Sequence, residues 1–216
     1  MTNRFSFDAD PPQDLIDHVV GIDAGSWLDT LRRGRSVLRD NAQLSSELLL
    51  NPKDDTDFSK TERLAVTSFV AGLHGDSGIY ELYLGLLARL EGGARLGDVI
   101  KDLVVAGRTT GPYGAYPRGP LSNEDLNGIG FSASPAEIGE RLAAALNHAH
   151  FLTYHPRDAS VDALETLKAA GWSATAIVTL SQLVSFLTFQ IRIIHGLTVL
   201  RNLGPTADLN ILETTS

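Results

Sequence analysis

Residues 59–87 read SKTERLAVTSFVAGLHGDSGIYELYLGLL. Ser59 and Glu62 have the spacing of a capping box, with the hydroxyl bonded to the third amide and the carboxylate turned back to the cap amide. Leu64, Ala65, Val66, Phe69, Val70 and Leu73 then recur along one helical face. The segment His74-Gly75-Asp76-Ser77-Gly78 breaks that helix. Ile79 starts another, which runs to about residue 90, where Gly92-Gly93 stops it. Two helices in succession, with no strand-like alternation between them, set the expected class as all-α.

The same signals continue outward. Residues 14–50 read as two helices broken near residues 21–25, with Trp27, Leu28, Leu31, Val37 and Leu38 as their apolar stripe. A charged loop, NPKDDTDF, follows at residues 51–58. Beyond the opening stretch, residues 96–106 form a further short helix. Ser134-Pro135-Ala136-Glu137 combines an N-cap, a first-position proline and a capping-box glutamate for a helix that ends at His155-Pro156. Ser160 caps the next helix, which closes at Gly171, and Trp172-Ser173 opens a long apolar helix ending near Asn202. The expected organisation is an N-terminal helical arm at residues 1–57 packed on the core, a helical domain at 58–202 and a tail at 203–216.

Residues 107–133, GRTTGPYGAYPRGPLSNEDLNGIGFSA, stand apart. A connection this long inside a compact domain is usually functional or disordered. Tyr113, Tyr116, Leu121 and Phe131 favour an ordered loop packed on something, and disorder is the alternative.

Composition narrows the chemistry. The chain has 216 residues, 43% hydrophobic and 20% charged, as in a soluble globular protein, and its net charge is -8. That sign disfavours nucleic acid and anionic membranes, which call for a basic surface. Residues 1–12 lack the cationic start and apolar run of a signal peptide. Gln182, Gln190, Arg192 and His195 interrupt the most apolar stretch, residues 174–200, which therefore reads as a core helix rather than a lipid-facing span. Within it, Arg192 and His195 are expected to be a buried polar pair with structural partners. A cytoplasmic location is expected. There is no cysteine, so neither a disulfide nor a thiol is available.

Residues 59–87 resemble the core motif of the alkylhydroperoxidase D-like (AhpD-like), or carboxymuconolactone decarboxylase (CMD), superfamily. There a capped helix carrying a glutamate leads into Gly-Cys-x-x-Cys, with a histidine four residues on. Residues 140–200 resemble the peroxidase-related branch of that superfamily through LKAAGWS at residues 167–173 and through Phe186, Phe189, Gln190 and Arg192. The resemblance implies an AhpD-like (CMD-like) helical bundle and a homo-oligomer. The loop at 107–133 is longer than the usual connection, as in a distinct subgroup.

The family's redox residues do not carry over. The two cysteine positions fall on Asp76 and Ile79, the histidine position on Tyr83 and the relay glutamate on Leu64, with Glu62 at the neighbouring cap position. Thiol peroxidation needs a thiolate nucleophile and a resolving thiol. Asp76 and Ile79 supply neither.

Three functions remain open. The first is a non-peroxidase binding or assembly protein, acting alone or beside a cysteine-bearing CMD-domain relative. The second is an acid/base enzyme of the decarboxylase kind using His74, Asp76 and Tyr83 as catalytic residues, where a histidine beside a carboxylate serves as general base. Set against it, Asp76 reads as a helix cap and His74 as a surface residue. The third is a binder of small aromatic ligands, in which the loop at 107–133 closes over an apolar pocket. No cofactor is expected. His148 and His150, two apart on a helix, point to nearly opposite faces and make a poor metal pair. Glu62 is expected to be a capping partner rather than a catalyst. Gly128-Ile129-Gly130-Phe131-Ser132-Ala133 imitates a dinucleotide fingerprint but has no strand before it.

Overall fold

The helix that opens at the Ser59 cap organises its half of the molecule, and it forms as the capping-box spacing requires. The Ser59 amide donates to Glu62 Oε2 at 2.9 Å, and the Glu62 amide donates to Ser59 Oγ at 3.3 Å. The computed structural model describes residues 14–205. The opening of the expected N-terminal arm, through residue 13, and the tail from residue 206 lie outside the described residues.

The helices among the described residues are α1 (Leu15–Val20), α2 (Trp27–Arg33), α3 (Ser36–Leu50), α4 (Lys60–His74), α5 (Ser77–Leu87), α6 (Gly93–Gly107), α7 (Pro135–Tyr154), α8 (Val161–Ala169) and α9 (Ala174–Leu203). Short 3-10 turns occupy Pro120–Glu124 and Pro156–Asp158. No strand is present among these residues, only an isolated antiparallel bridge between Gly114 and Leu126. The chain is all-α.

It divides into two compact units, one of residues 47–191 and one that joins the described residues before 47 to those from 192 onward. In the larger unit α4 packs against α5, α6 and α7. Every residue from Arg63 to Leu73 is buried. Leu64, Phe69 and Val70 are each at most 2% exposed. Full burial of such a side chain contributes roughly 1.5–3 kcal/mol relative to exposure. Arg63 is accommodated by two carbonyl acceptors, Phe58 O at 2.8 Å and Leu49 O at 2.7 Å. Within this unit α9 turns Leu180, Leu183, Val184, Leu187 and Gln190 inward.

By length and composition α9 is also long and apolar enough to cross a membrane, with a mean hydropathy of 1.6 and 44% of that window buried inside the protein.

Arg141 ties three segments of the larger unit. Its Nε donates to Glu62 Oε1 at 2.7 Å, and its other nitrogens reach the Gly171 and Asp57 carbonyls. Its guanidinium lies 4.2 Å from the Trp172 ring centroid, while Trp172 Nε1 donates back to the Arg141 carbonyl at 2.9 Å. Glu62 is thus a cap and an ion-pair partner at once. The start of α7 departs from the capping-box expectation: Ser134 Oγ accepts from Ala136 N, and the helix kinks at Gly139.

Residues 14–50 form three helices, not two. The extra break falls at Gly34, where Arg35 resumes the turn. Gly34 keeps a right-handed conformation (φ -61°), so it gives none of the left-handed signal that ends many helices. This break undoes the expected apolar stripe: Leu28 is buried, but Leu31, Val37 and Leu38 are exposed. The buried face of α2 carries Asp29 and Arg32 instead. Arg32 pairs with Asp14 at 2.8 Å and with Asp17, and Arg39 pairs with Asp17 Oδ2 at 2.8 Å. Asp14 also caps α1 by accepting from Asp17 N at 3.0 Å. Arg192 and His195, expected to be a buried pair, are both exposed. The helical period places Ile191, Ile194 and Leu197 on the inner side of α9 and turns those two outward.

Candidate functional site

His74, Asp76 and Tyr83 surround the junction of α4 and α5, and each has a partner in the fold. Asp76 is the N-cap of α5, its Oδ1 accepting from Ile79 N at 3.0 Å. Tyr83 is fully buried and donates from its hydroxyl to Gln190 Oε1 at 2.7 Å. Burial holds its phenol far above the ordinary tyrosine range. His74 Nε2 lies 3.1 Å from Thr188 Oγ1, whose own hydroxyl is donated to the Val184 carbonyl. Asp76 and Tyr83 thus serve α5 and its attachment to α9. None of the three lines either of the cavities described below.

The loop at 107–133 is ordered and pinned from several sides. Tyr154 donates its hydroxyl to the Leu73 carbonyl at 2.8 Å and accepts from Thr109 N at 3.3 Å, while its own carbonyl takes the Tyr113 amide. Arg157 donates to the Pro112 and Tyr113 carbonyls at 2.9 and 3.2 Å, and its guanidinium lies over the Tyr116 ring. Asp158 Oδ1 accepts from Ala115 N at 3.1 Å, and Asn147 Oδ1 accepts from Ala133 N at 2.7 Å. Gly128 belongs to this packing, because a Cβ there would fall 2.3 Å from the Tyr113 ring. Its φ of +64° excludes most other residues as well.

Under the last part of this loop is a cavity of about 380 Å³, within the size range of small-molecule sites. Ile129 and Phe131 wall it on the loop side, His148, His150 and Phe151 on α7 and Leu167 on α8. The Phe131 ring stacks on the His150 imidazole with centroids 4.5 Å apart and planes 18° from parallel. Phe131 also contacts Phe69 of α4, at 5.3 Å between centroids. Gly107 permits this approach: a Cβ there would meet the Phe131 ring at 2.8 Å. No Asp, Glu, Lys or Arg side chain lines the cavity.

The hydrogen-bond partners assign both buried imidazoles. His150 Nε2 faces the Gly107 carbonyl at 2.9 Å, and a carbonyl can only accept. His148 Nε2 faces Ser181 Oγ at 3.3 Å, and that hydroxyl donates its proton to the Ile177 carbonyl at 2.9 Å. Both rings therefore carry their proton on Nε2 and keep a lone pair on Nδ1. Burial pushes both pKa values below the ordinary imidazole value, with His155 nearby opposing a charge on His150 in addition. The divergence expected for His148 and His150 is real for their Nε2 atoms, which bond to α9 and to the end of α6. The two rings nevertheless border one cavity. Among the described residues no group of three or more His, Asp or Glu is placed to share a metal ion.

A larger cavity, about 850 Å³, is bordered by Glu62, Arg95, Val99, Glu137, Glu140 and Arg141. Its most enclosed cation, Arg141, is already committed to Glu62, Asp57, Gly171 and Trp172.

No family model and no curated protein matches the sequence, and no solved structure matches the fold.

Proposed function

We propose that this chain is a cysteine-free, CMD-like helical protein that does no peroxidase chemistry and binds a small, uncharged, planar molecule beneath its glycine- and proline-rich loop. The stack of Phe131 on His150 carries the reading, because it closes a mostly apolar cavity with an aromatic wall. Such a wall favours a flat ligand. With no lysine or arginine in the lining, a carboxylate could draw only on His155 for a counter-charge, and without it desolvation would cost several kcal/mol. With His148 and His150 neutral and their Nε2 protons engaged, each ring keeps an acceptor at Nδ1. The ligand that complements them carries hydroxyl protons, so phenols and hydroquinones fit better than quinones or aromatic acids. The absence of cysteine supports the other half of the reading, since it leaves no thiolate to attack a peroxide. The resemblance at residues 59–87 and 140–200 supports a CMD-like bundle and a homo-oligomer.

A thermal-shift screen followed by titration calorimetry tests this, with phenols, hydroquinones, quinones and benzoates as the four arms. The expected result is stabilisation by the first two classes in the wild type and its loss in Phe131→Ala. A benzoate preference, or no shift in any arm, rejects the site. Turnover of an organic hydroperoxide with a dithiol donor, above a control lacking protein, rejects the non-peroxidase assignment.

A further inference from the structure

His155, at the C-terminal end of α7, stands between two acceptors. Its Nε2 lies 3.0 Å from the Ile129 carbonyl of the loop, and its Nδ1 lies 3.2 Å from Asp158 Oδ2. A carbonyl oxygen and an ionised carboxylate accept hydrogen bonds and donate none. A neutral imidazole has a single N–H, so only the imidazolium makes both bonds at once.

We propose that His155 is a proton-operated latch that holds the loop over the cavity when charged and releases it when neutral. Only the identity of what the loop covers rests on the binding function proposed above.

The release has a direction. When His155 loses a proton, the N–H that remains stays with the carboxylate, the stronger acceptor. The ring then turns a lone pair toward the Ile129 carbonyl, and the bond to the loop is the one lost. Ile129, Phe131 and His155 are all in the cavity wall, so this bond joins two parts of that wall.

The neighbouring groups set the balance. Asp158 remains a carboxylate, held below its ordinary range chiefly by the Ala115 amide and further by His155 and Arg157. It favours the charged ring. Arg157 carries a like charge but is directed at the Pro112 and Tyr113 carbonyls. Tyr113, with its ring 5.2 Å from His155, uses its hydroxyl on Thr109. On α7, Phe151 stacks at 6.3 Å and bears no charge, while a charge on His155 disfavours protonation of His150. The closed state binds one proton more than the open state. Closure is therefore favoured at low pH and lost as pH rises. Protonation of His148 or His150 would act with the opposite sign.

Hydrogen exchange on the full chain without ligand, at about pH 5.5 and about pH 8.5 and corrected for the intrinsic chemical rate, tests the latch. In the wild type the peptide covering residues 127–133 should be protected about two- to tenfold more at the lower pH, the range expected for one net hydrogen bond. Peptides from α4 serve as the reference. Asp158→Asn keeps an oxygen for the Ala115 amide and adds an N–H that a neutral imidazole can accept. This variant should hold the loop closed at both pH values. His155→Phe should leave it open at both. Wild-type protection that does not change with pH, or a pH dependence in Asp158→Asn equal to that of the wild type, overturns the proposal. Because no ligand is used, this result stands or falls separately from the phenol titration.

Discussion

The Tyr83 hydroxyl donates to the Gln190 carboxamide oxygen at 2.7 Å, at a point in the core where the tyrosine has no solvent exposure. The bond joins α5 to α9 inside the larger unit. Tyr83→Phe removes the donor and leaves the glutamine oxygen without it, at an expected cost of about 1–3 kcal/mol. Tyr83→Ala also opens a cavity and should cost about 3–5 kcal/mol. Urea denaturation measures both. A Tyr83→Phe midpoint equal to that of the wild type would show that the bond contributes nothing.

Asp76 provides a sharp comparison between a cap and a catalyst. Asp76→Ala should destabilise by about 0.5–2 kcal/mol, and Asp76→Asn by much less, because asparagine accepts the Ile79 amide equally well. A general base would not survive the asparagine substitution. If an activity is found that Asp76→Asn abolishes while stability is retained, the capping role is not the whole of its function.

The buried imidazoles give stability a pH dependence of known sign. His148 and His150 have folded-state pKa values below the ordinary 6.5, so between those values the unfolded chain binds more protons than the folded one. Their contribution is complete above about pH 6.5 and is lost as pH falls through the folded-state values. Thermal midpoints of the wild type should fall on acidification from pH 7, and more shallowly in a His148→Gln, His150→Gln double variant. Parallel curves for the two proteins would remove these residues as the cause.

In the smaller unit Arg32 has the most to lose. It is 8% exposed and faces Asp14 and Asp17, which are equally well buried. Arg32→Ala leaves two buried carboxylates to share Arg39, and about 3–5 kcal/mol of destabilisation is expected. Because the cluster is buried, added salt should rescue little of it. Faster hydrogen exchange in α1 and α2, at low and high salt alike, is the signature to look for.

How much of this was legible depended on the range of the interaction. The Ser59, Ser134 and Ser160 caps and the breaks at Gly75 and Gly171 are local chemistry, readable within a few residues. The break at Gly34 was not readable, because its glycine keeps an ordinary helical conformation. The exposure of Arg192 and His195 was missed because α9 is apolar on nearly every side, and sequence alone does not reveal which side has neighbours. In the candidate site, Phe131 and Tyr113 were legible as loop residues that had to pack somewhere. Their partners His150, Tyr154 and His155 lie 19 to 42 positions further on (150 − 131 and 155 − 113), and no periodicity links them. The spacing of His148 and His150 correctly separated their Nε2 bonds. It could not show that a loop from elsewhere would roof both rings.

The unbroken burial of α4 from Arg63 to Leu73 has a consequence for divergence. A helix with one solvated face can drift on that face, and its relatives stay recognisable by the other. Here every position is constrained by a neighbour, so accepted substitutions must come in compensating pairs. When relatives of this chain are collected, this run should change most slowly, and the exposed face of α3, with Val37 and Leu48 open to solvent, most freely.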